Sequence, residues 1–209
     1  MPGNKIKSVR KIRGIRKASH YTNRNTAIQE LIHAKKTLDN PIAPIKERLK
    51  VINLIKTTKS FAVKKRFFQS LFFLLASEKD HRLRLAVAEA VLKMRLSGSF
   101  RIVANLALKE AKKESFLKDT LAEQVIYQAK NSIDALSLIK LIKEYPKEEI
   151  KLMAAEHLLF IASPEQKEKI LKIINSVNKT KFYSSQWNVL IQDMQGTINS
   201  FKVGRTSKK

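Results

Sequence analysis

The chain has 209 residues, 44% of them hydrophobic, and carries 42 lysines and arginines against 18 aspartates and glutamates, a formal net charge of +24. Its length and apolar content suit a buried core in one domain or two and argue against wholesale disorder. With no cysteine, disulfides, thiolate nucleophiles and cysteine zinc sites are excluded.

The charge is polar along the chain. Eight basic residues, Lys5, Lys7, Arg10, Lys11, Arg13, Arg16, Lys17 and Arg24, precede the first acid, Glu30. Residues 25–113 hold 19 basic against 7 acidic residues, while residues 114–199 are balanced at 11 of each. Lys202, Arg205, Lys208 and Lys209 close the chain. A field of this kind draws polyanions to one end of a molecule. Residues 1–24 read as an extended basic arm, because mutual repulsion of eight charges disfavours an isolated helix. An acid-free basic start also occurs in organelle transit peptides, although this one is poor in serine. No apolar core of a signal peptide and no membrane-spanning run is visible; the longest greasy stretch, Phe67–Ala76, is interrupted by Gln69 and Ser70.

From residue 25 the pattern predicts ten helices: 25–38, 43–57, 60–76, 80–95, 99–113, 116–130, 132–144, 147–162, 164–178 and 180–200. In the second, Ile45, Leu49, Ile52 and Ile55 form an apolar stripe. In the third, Phe67, Phe68, Phe72 and Phe73 are expected in a core covered on both sides, since the helix is apolar nearly all round. The fourth is the clearest, with Leu83, Ala86, Val87, Ala90, Val91 and Met94 on one face. Gly98 and Asn131-Ser132 mark breaks. Ser163-Pro164-Glu165-Gln166 is a start signal: a capping serine, a proline at the first helical position and a glutamine that completes a capping box. Links of two to five residues make neighbouring helices antiparallel. The expected division is a basic arm over 1–24, a helical repeat domain over 25–200 and a basic tail over 201–209.

Taken in pairs, the second helices begin near residues 44, 80, 116, 147 and 180, a period that signals a solenoid. Ala88, Ala122 and Ala155 stand 34 and 33 residues apart, each followed by glutamate. Small residues at a fixed helical position let a neighbouring helix approach closely. The segment Asp80-His81-Arg82-Leu83-Arg84-Leu85-Ala86-Val87-Ala88-Glu89-Ala90-Val91 resembles the second helix of the HEAT-repeat superfamily: an acid in the turn, an arginine shortly after it, then an alanine-rich stripe. Residues 115–130 and 146–162 keep the alanines without the arginine, and residues 25–57 match only in period. The resemblance implies an all-α right-handed α–α solenoid of about five HEAT-like helix pairs. It leaves function to the surface, because such arrays serve as scaffolds, transport receptors and DNA-binding enzymes.

Candidate chemistry is sparse. His20, His33, His81 and His157 are scattered, so no metal site is expected. The five glycines form no phosphate loop, so no nucleotide cofactor is expected. Glu148-Glu149 reads as a pair that offsets the positive end of a helix. Trp187, with Tyr183 before it and Asp193 after it, reads as the aromatic that closes the end of the stack. Base stacking by Trp187 is its alternative, and a HEAT-like glycosylase acting on alkylated bases, with Asp193 as its acid, is a third.

What remains is the basic surface. Lys46 and Lys50 on the second helix, the Lys64-Lys65-Arg66 triplet, Arg82 and Arg84 at the start of the fourth helix and Lys93 near its end are the candidate phosphate contacts, together with the arm. Successive second helices stand about 10 Å apart, so Lys46 and Lys50 followed by Arg82 and Lys93 are expected to form a stripe of that pitch. The sequence therefore points to a non-catalytic binder of RNA or DNA, alone or in a ribonucleoprotein, with RNA ahead because of the long arm. The alternatives are a scaffold whose basic half grips an acidic protein, and adsorption to an anionic membrane. A cytoplasmic setting is expected, with nucleoid, nuclear or organellar settings as alternatives.

Overall fold

A computed structural model of the chain describes residues 28–131 and 133–206, with side chains described as far as Phe201. The basic arm expected over 1–24, with all eight of its candidate contacts, lies outside the described residues. The described chain is all-helical. Ten α-helices follow one another: α1 (28–39), α2 (Ile45–Thr57), α3 (Phe61–Ser77), α4 (His81–Met94), α5 (Ser99–Lys112), α6 (Lys118–Gln128), α7 (Ala135–Glu144), α8 (Glu148–Ile161), α9 (Pro164–Ser176) and α10 (Ser184–Thr206), with one 3₁₀ turn at Lys181–Tyr183.

Three of the starts carry a side-chain cap. The Ser60 hydroxyl accepts from Val63 N–H at 3.4 Å and the Asp80 carboxylate from Leu83 N–H at 3.0 Å. Each satisfies a donor that the first helical turn leaves orphaned. At α9 the capping box forms in full. Ser163 accepts from Gln166 N–H at 3.3 Å, and the Gln166 amide oxygen accepts from Ser163 N–H at 3.0 Å, with Pro164 at the first helical position. Gly98 supplies the left-handed backbone that turns the chain into α5, with φ +84°. Arg95 and Glu114 also take positive φ, at 57° and 52°. Several boundaries differ from expectation: α6 is shorter at both ends than 116–130, α7 begins at Ala135 rather than 132, and the largest changes are at the last helix. A 3₁₀ turn stands at 181–183, and α10 then continues through Thr206, beyond residue 200 where a basic tail was expected to begin.

The chain divides into two compact units, Met1–Leu54 and Ile55–Lys209, and the division falls inside α2. In the first, described from residue 28, Ala34, Leu38 and Ile52 are buried. In the second, the helices pack as consecutive pairs: α3 with α4, α5 with α6, α7 with α8 and α9 with α10. The second members α4, α6, α8 and α10 stack on one another, and α5, α7 and α9 form the other layer. Ala88, Ala122 and Ala155 lie in α4, α6 and α8 with no exposed surface. The recurring alanine therefore sits buried in the layer where those helices stack. Around it Val87, Leu121, Leu138 and Leu158 are fully buried, each contributing roughly 1.5–3 kcal/mol.

Among the described residues no helix is long and apolar enough to cross a membrane. Nor do histidine, aspartate and glutamate side chains among them gather in a group able to hold a metal. His157 Nε2 lies 2.8 Å from the Ala129 carbonyl, to which it donates.

Candidate nucleic-acid interface

In the first unit, α2 presents Lys46 and Lys50 to solvent, four residues apart and so on one helical face. Neither makes an ion pair among the described residues. Arg82 and Lys93, the other members of the expected stripe, belong to the second unit.

In the second unit the expected candidates separate into accessible and occupied ones. The Lys64-Lys65-Arg66 triplet lies in the first turns of α3, with Lys65 and Arg66 exposed and Lys64 half-buried. None of the three makes an ion pair among the described residues. The Arg82 side chain is 80% exposed and only loosely held, 3.5 Å from Asp80 Oδ2. Lys93 is exposed, but its ammonium sits 2.8 Å from Glu89 Oε1, and Lys56 sits 2.8 Å from Glu89 Oε2. Burial alone would raise the Glu89 carboxyl; the two lysines more than offset this and hold it below its ordinary range.

Arg84 is not a phosphate contact. Its side chain is mostly buried, Nε donates to the Leu75 carbonyl at 3.0 Å, and Nη2 donates to Glu110 Oε1 at 3.0 Å. The guanidinium joins α3, α4 and α5, with Nε and Nη2 already engaged. Arg84 thus has an architectural role that its neighbour Arg82, two residues earlier, does not share.

Trp187 also departs from its stacking alternative. It is wholly buried, and its indole N–H donates to Glu148 Oε1 at 2.8 Å. A base cannot reach its ring. Asp193 lies apart from it, exposed in a groove with Phe160 and Val189 between α8 and α10. The tryptophan and the carboxylate that the glycosylase alternative needs therefore share no pocket.

The aromatic run of α3 behaves differently from expectation. Phe67 is buried and Phe68 half-buried, but Phe72 and Phe73 are 47% and 69% exposed. Phe61, at the head of the same helix, is 63% exposed. At 100° per residue, Phe61, Phe72, Lys65, Gln69, Phe73 and Arg66 fall in one continuous sector of α3. One helix face thus presents three benzyl rings interleaved with two cations that have no ion partner among the described residues. Sequence reasoning missed this face because a helix apolar on all sides gives no indication of which side is covered. The available signal was the basic triplet beside the rings.

In the charge-balanced half one lysine has two acidic partners. Lys147 pairs with Asp119 at 3.2 Å and with Glu149 at 3.1 Å, and Asp119 also accepts from the Tyr145 hydroxyl at 2.8 Å. No family model, curated protein or solved structure matches the chain.

Proposed function

We propose that the chain is a non-catalytic nucleic-acid-binding protein that takes single-stranded segments, RNA ahead of DNA, alone or within a ribonucleoprotein. The α3 face carries this reading: exposed Phe61, Phe72 and Phe73 beside exposed Lys65 and Arg66. Bases of any identity stack on aromatic rings while cations neutralise the adjoining phosphates, which is the chemistry of sequence-tolerant single-strand binding. Lys46 and Lys50 on the first unit and Arg82 on the second extend the supply of accessible positive charge. The preference for RNA rests on the basic sequence of residues 1–24.

Two variants separate this reading from a scaffold that grips an acidic protein. Binding of a fluorescent single-stranded RNA of about 20 nucleotides is measured by anisotropy. The Phe72→Leu/Phe73→Leu variant is expected to weaken binding about tenfold while the salt dependence stays unchanged, because stacking contributes about 1–3 kcal/mol per base. The Lys64→Ala/Lys65→Ala/Arg66→Ala variant is expected to weaken binding and to flatten the log–log salt slope by about 2. A polyanion held by charge alone would leave the phenylalanine variant at full affinity, and that result overturns the stacking element of the proposal.

A further inference from the structure

A second cationic site, separate from α3, opens between the N-terminal ends of α5 and α7. It is a cleft of about 620 Å³ whose lining includes Arg95, Arg101, Lys140 and Asp134. Three cations thus face one carboxylate, and that carboxylate is already taken. Asp134 is buried, pairs with the Arg95 guanidinium and accepts from Lys130 N–H at 2.9 Å. Arg95 in turn lies over the Phe100 ring, 4.9 Å from its centre. Arg95 and Asp134 therefore cancel, and the charge left over belongs to Arg101 and Lys140.

Both remaining cations are under-used. Lys140 donates one hydrogen bond, to Asn105 at 2.8 Å, and an ammonium has three to give. Arg101 is exposed and makes no ion pair among the described residues. It stands in the first turn of α5, which holds no acidic residue and no side-chain cap. The positive end of a helix disfavours a cation. Yet the guanidinium turns back over that end, for a Cβ added at Gly98 would lie 4.0 Å from Arg101 Nη2. An anion seated there would relieve the repulsion and accept from the guanidinium, from Lys140 and from the helix terminus together. The lips of the cleft are apolar, with Ile133 78% and Leu136 68% exposed. The volume is that of a small-molecule site and exceeds what a bare phosphate fills.

We propose that this cleft binds the phosphate monoester of a nucleotide, with Arg101 and Lys140 on the phosphate and the apolar lips against the nucleoside. The choice of a nucleoside as the phosphate carrier rests on the nucleic-acid reading above, whereas the charge of the cleft does not. The same chemistry comes from a free mononucleotide or from the phosphorylated end of a strand.

The test titrates the full chain with AMP and with adenosine by calorimetry, and compares hexaadenylate bearing a 5′-phosphate with its 5′-hydroxyl form. AMP is expected to bind about tenfold tighter than adenosine, and Arg101→Ala or Lys140→Ala to abolish that difference. Arg101 is exposed, so thermal melts of Arg101→Ala should superimpose on those of the parent. If the 5′-phosphate strengthens hexaadenylate binding and Arg101→Ala removes the gain, the occupant is a strand end. If AMP responds but the two oligonucleotides bind alike, it is a free nucleotide. Equal binding of AMP and adenosine, with no effect of the 5′-phosphate, overturns the proposal, whatever the affinity for long RNA. Loss of long-RNA binding with AMP binding intact would instead overturn the α3 reading and leave the cleft standing.

Discussion

Glu148 ties three segments together through one carboxylate. It accepts from the Trp187 indole at 2.8 Å and from Thr180 N–H at 3.0 and 3.1 Å, so the start of α8 holds the approach to α10 and its buried aromatic. Burial alone would raise its carboxyl, but the hydrogen bonds from Thr180 and Trp187 outweigh that and hold it below the ordinary value of 4.5. A carboxyl depressed on folding contributes stability that is present above its unfolded value and lost as pH falls through its folded value. Glu148→Gln is therefore expected to lower stability by about 1 kcal/mol at neutral pH, or about 2–4 °C in Tm. The gap between variant and parent should close below about pH 4, as thermal melts across pH will register. A gap that persists undiminished into acid would mean that the charge of Glu148 is not what holds the joint. The sequence disclosed half of this residue. Its place in a first helical turn, where negative charge is favourable, was legible from its pairing with Glu149. Its bond to Trp187, 39 residues away, was not, because no local pattern encodes a tertiary partner. Arg84 escaped for the same reason: beside Arg82 it reads as another surface cation, and only the position of Glu110 removes it from the surface.

At the scale of the element, the order and number of helices were legible from apolar periodicity, with chemical punctuation at some of the starts, whereas α6, α7 and α8 begin without a side-chain cap. Ser60, Asp80 and Ser163 cap as their residue types dictate, and Gly98 breaks where only glycine takes its backbone angle at ease. The alanine recurrence at 34 and 33 residues was legible as close packing, and Ala88, Ala122 and Ala155 are indeed fully buried where α4, α6 and α8 stack. Those positions have no room for larger side chains. Ala122→Leu is expected to cost about 1–3 kcal/mol through overpacking. Below its melting temperature the variant should bind RNA as the parent does, since α6 contributes none of the proposed contacts. Urea titrations monitored by circular dichroism will measure the cost; an unchanged midpoint would mean that α6 is not clamped between its neighbours. The exposed face of α3 was illegible for a reason specific to that helix. Periodicity reveals a buried side only by contrast with a polar one, and Phe61, Phe72 and Phe73 erase the contrast.

For the whole molecule, the decisive property is the uneven placement of charge. Residues 25–113 carry 19 basic against 7 acidic residues and keep Lys46, Lys50, Lys65 and Arg66 exposed with no ion pair among the described residues, while residues 114–199 balance at 11 of each. This arrangement costs electrostatic self-repulsion at low salt and favours association with a polyanion. Binding to nucleic acid at such a surface releases condensed counterions, so its strength reports directly how many phosphates are neutralised. The most direct measurement is the dissociation constant of the full chain for single-stranded RNA between about 50 and 400 mM KCl. With roughly six phosphates contacted, the affinity should fall along a log–log slope of about −4 to −5. An affinity that hardly changes over that range contradicts the account.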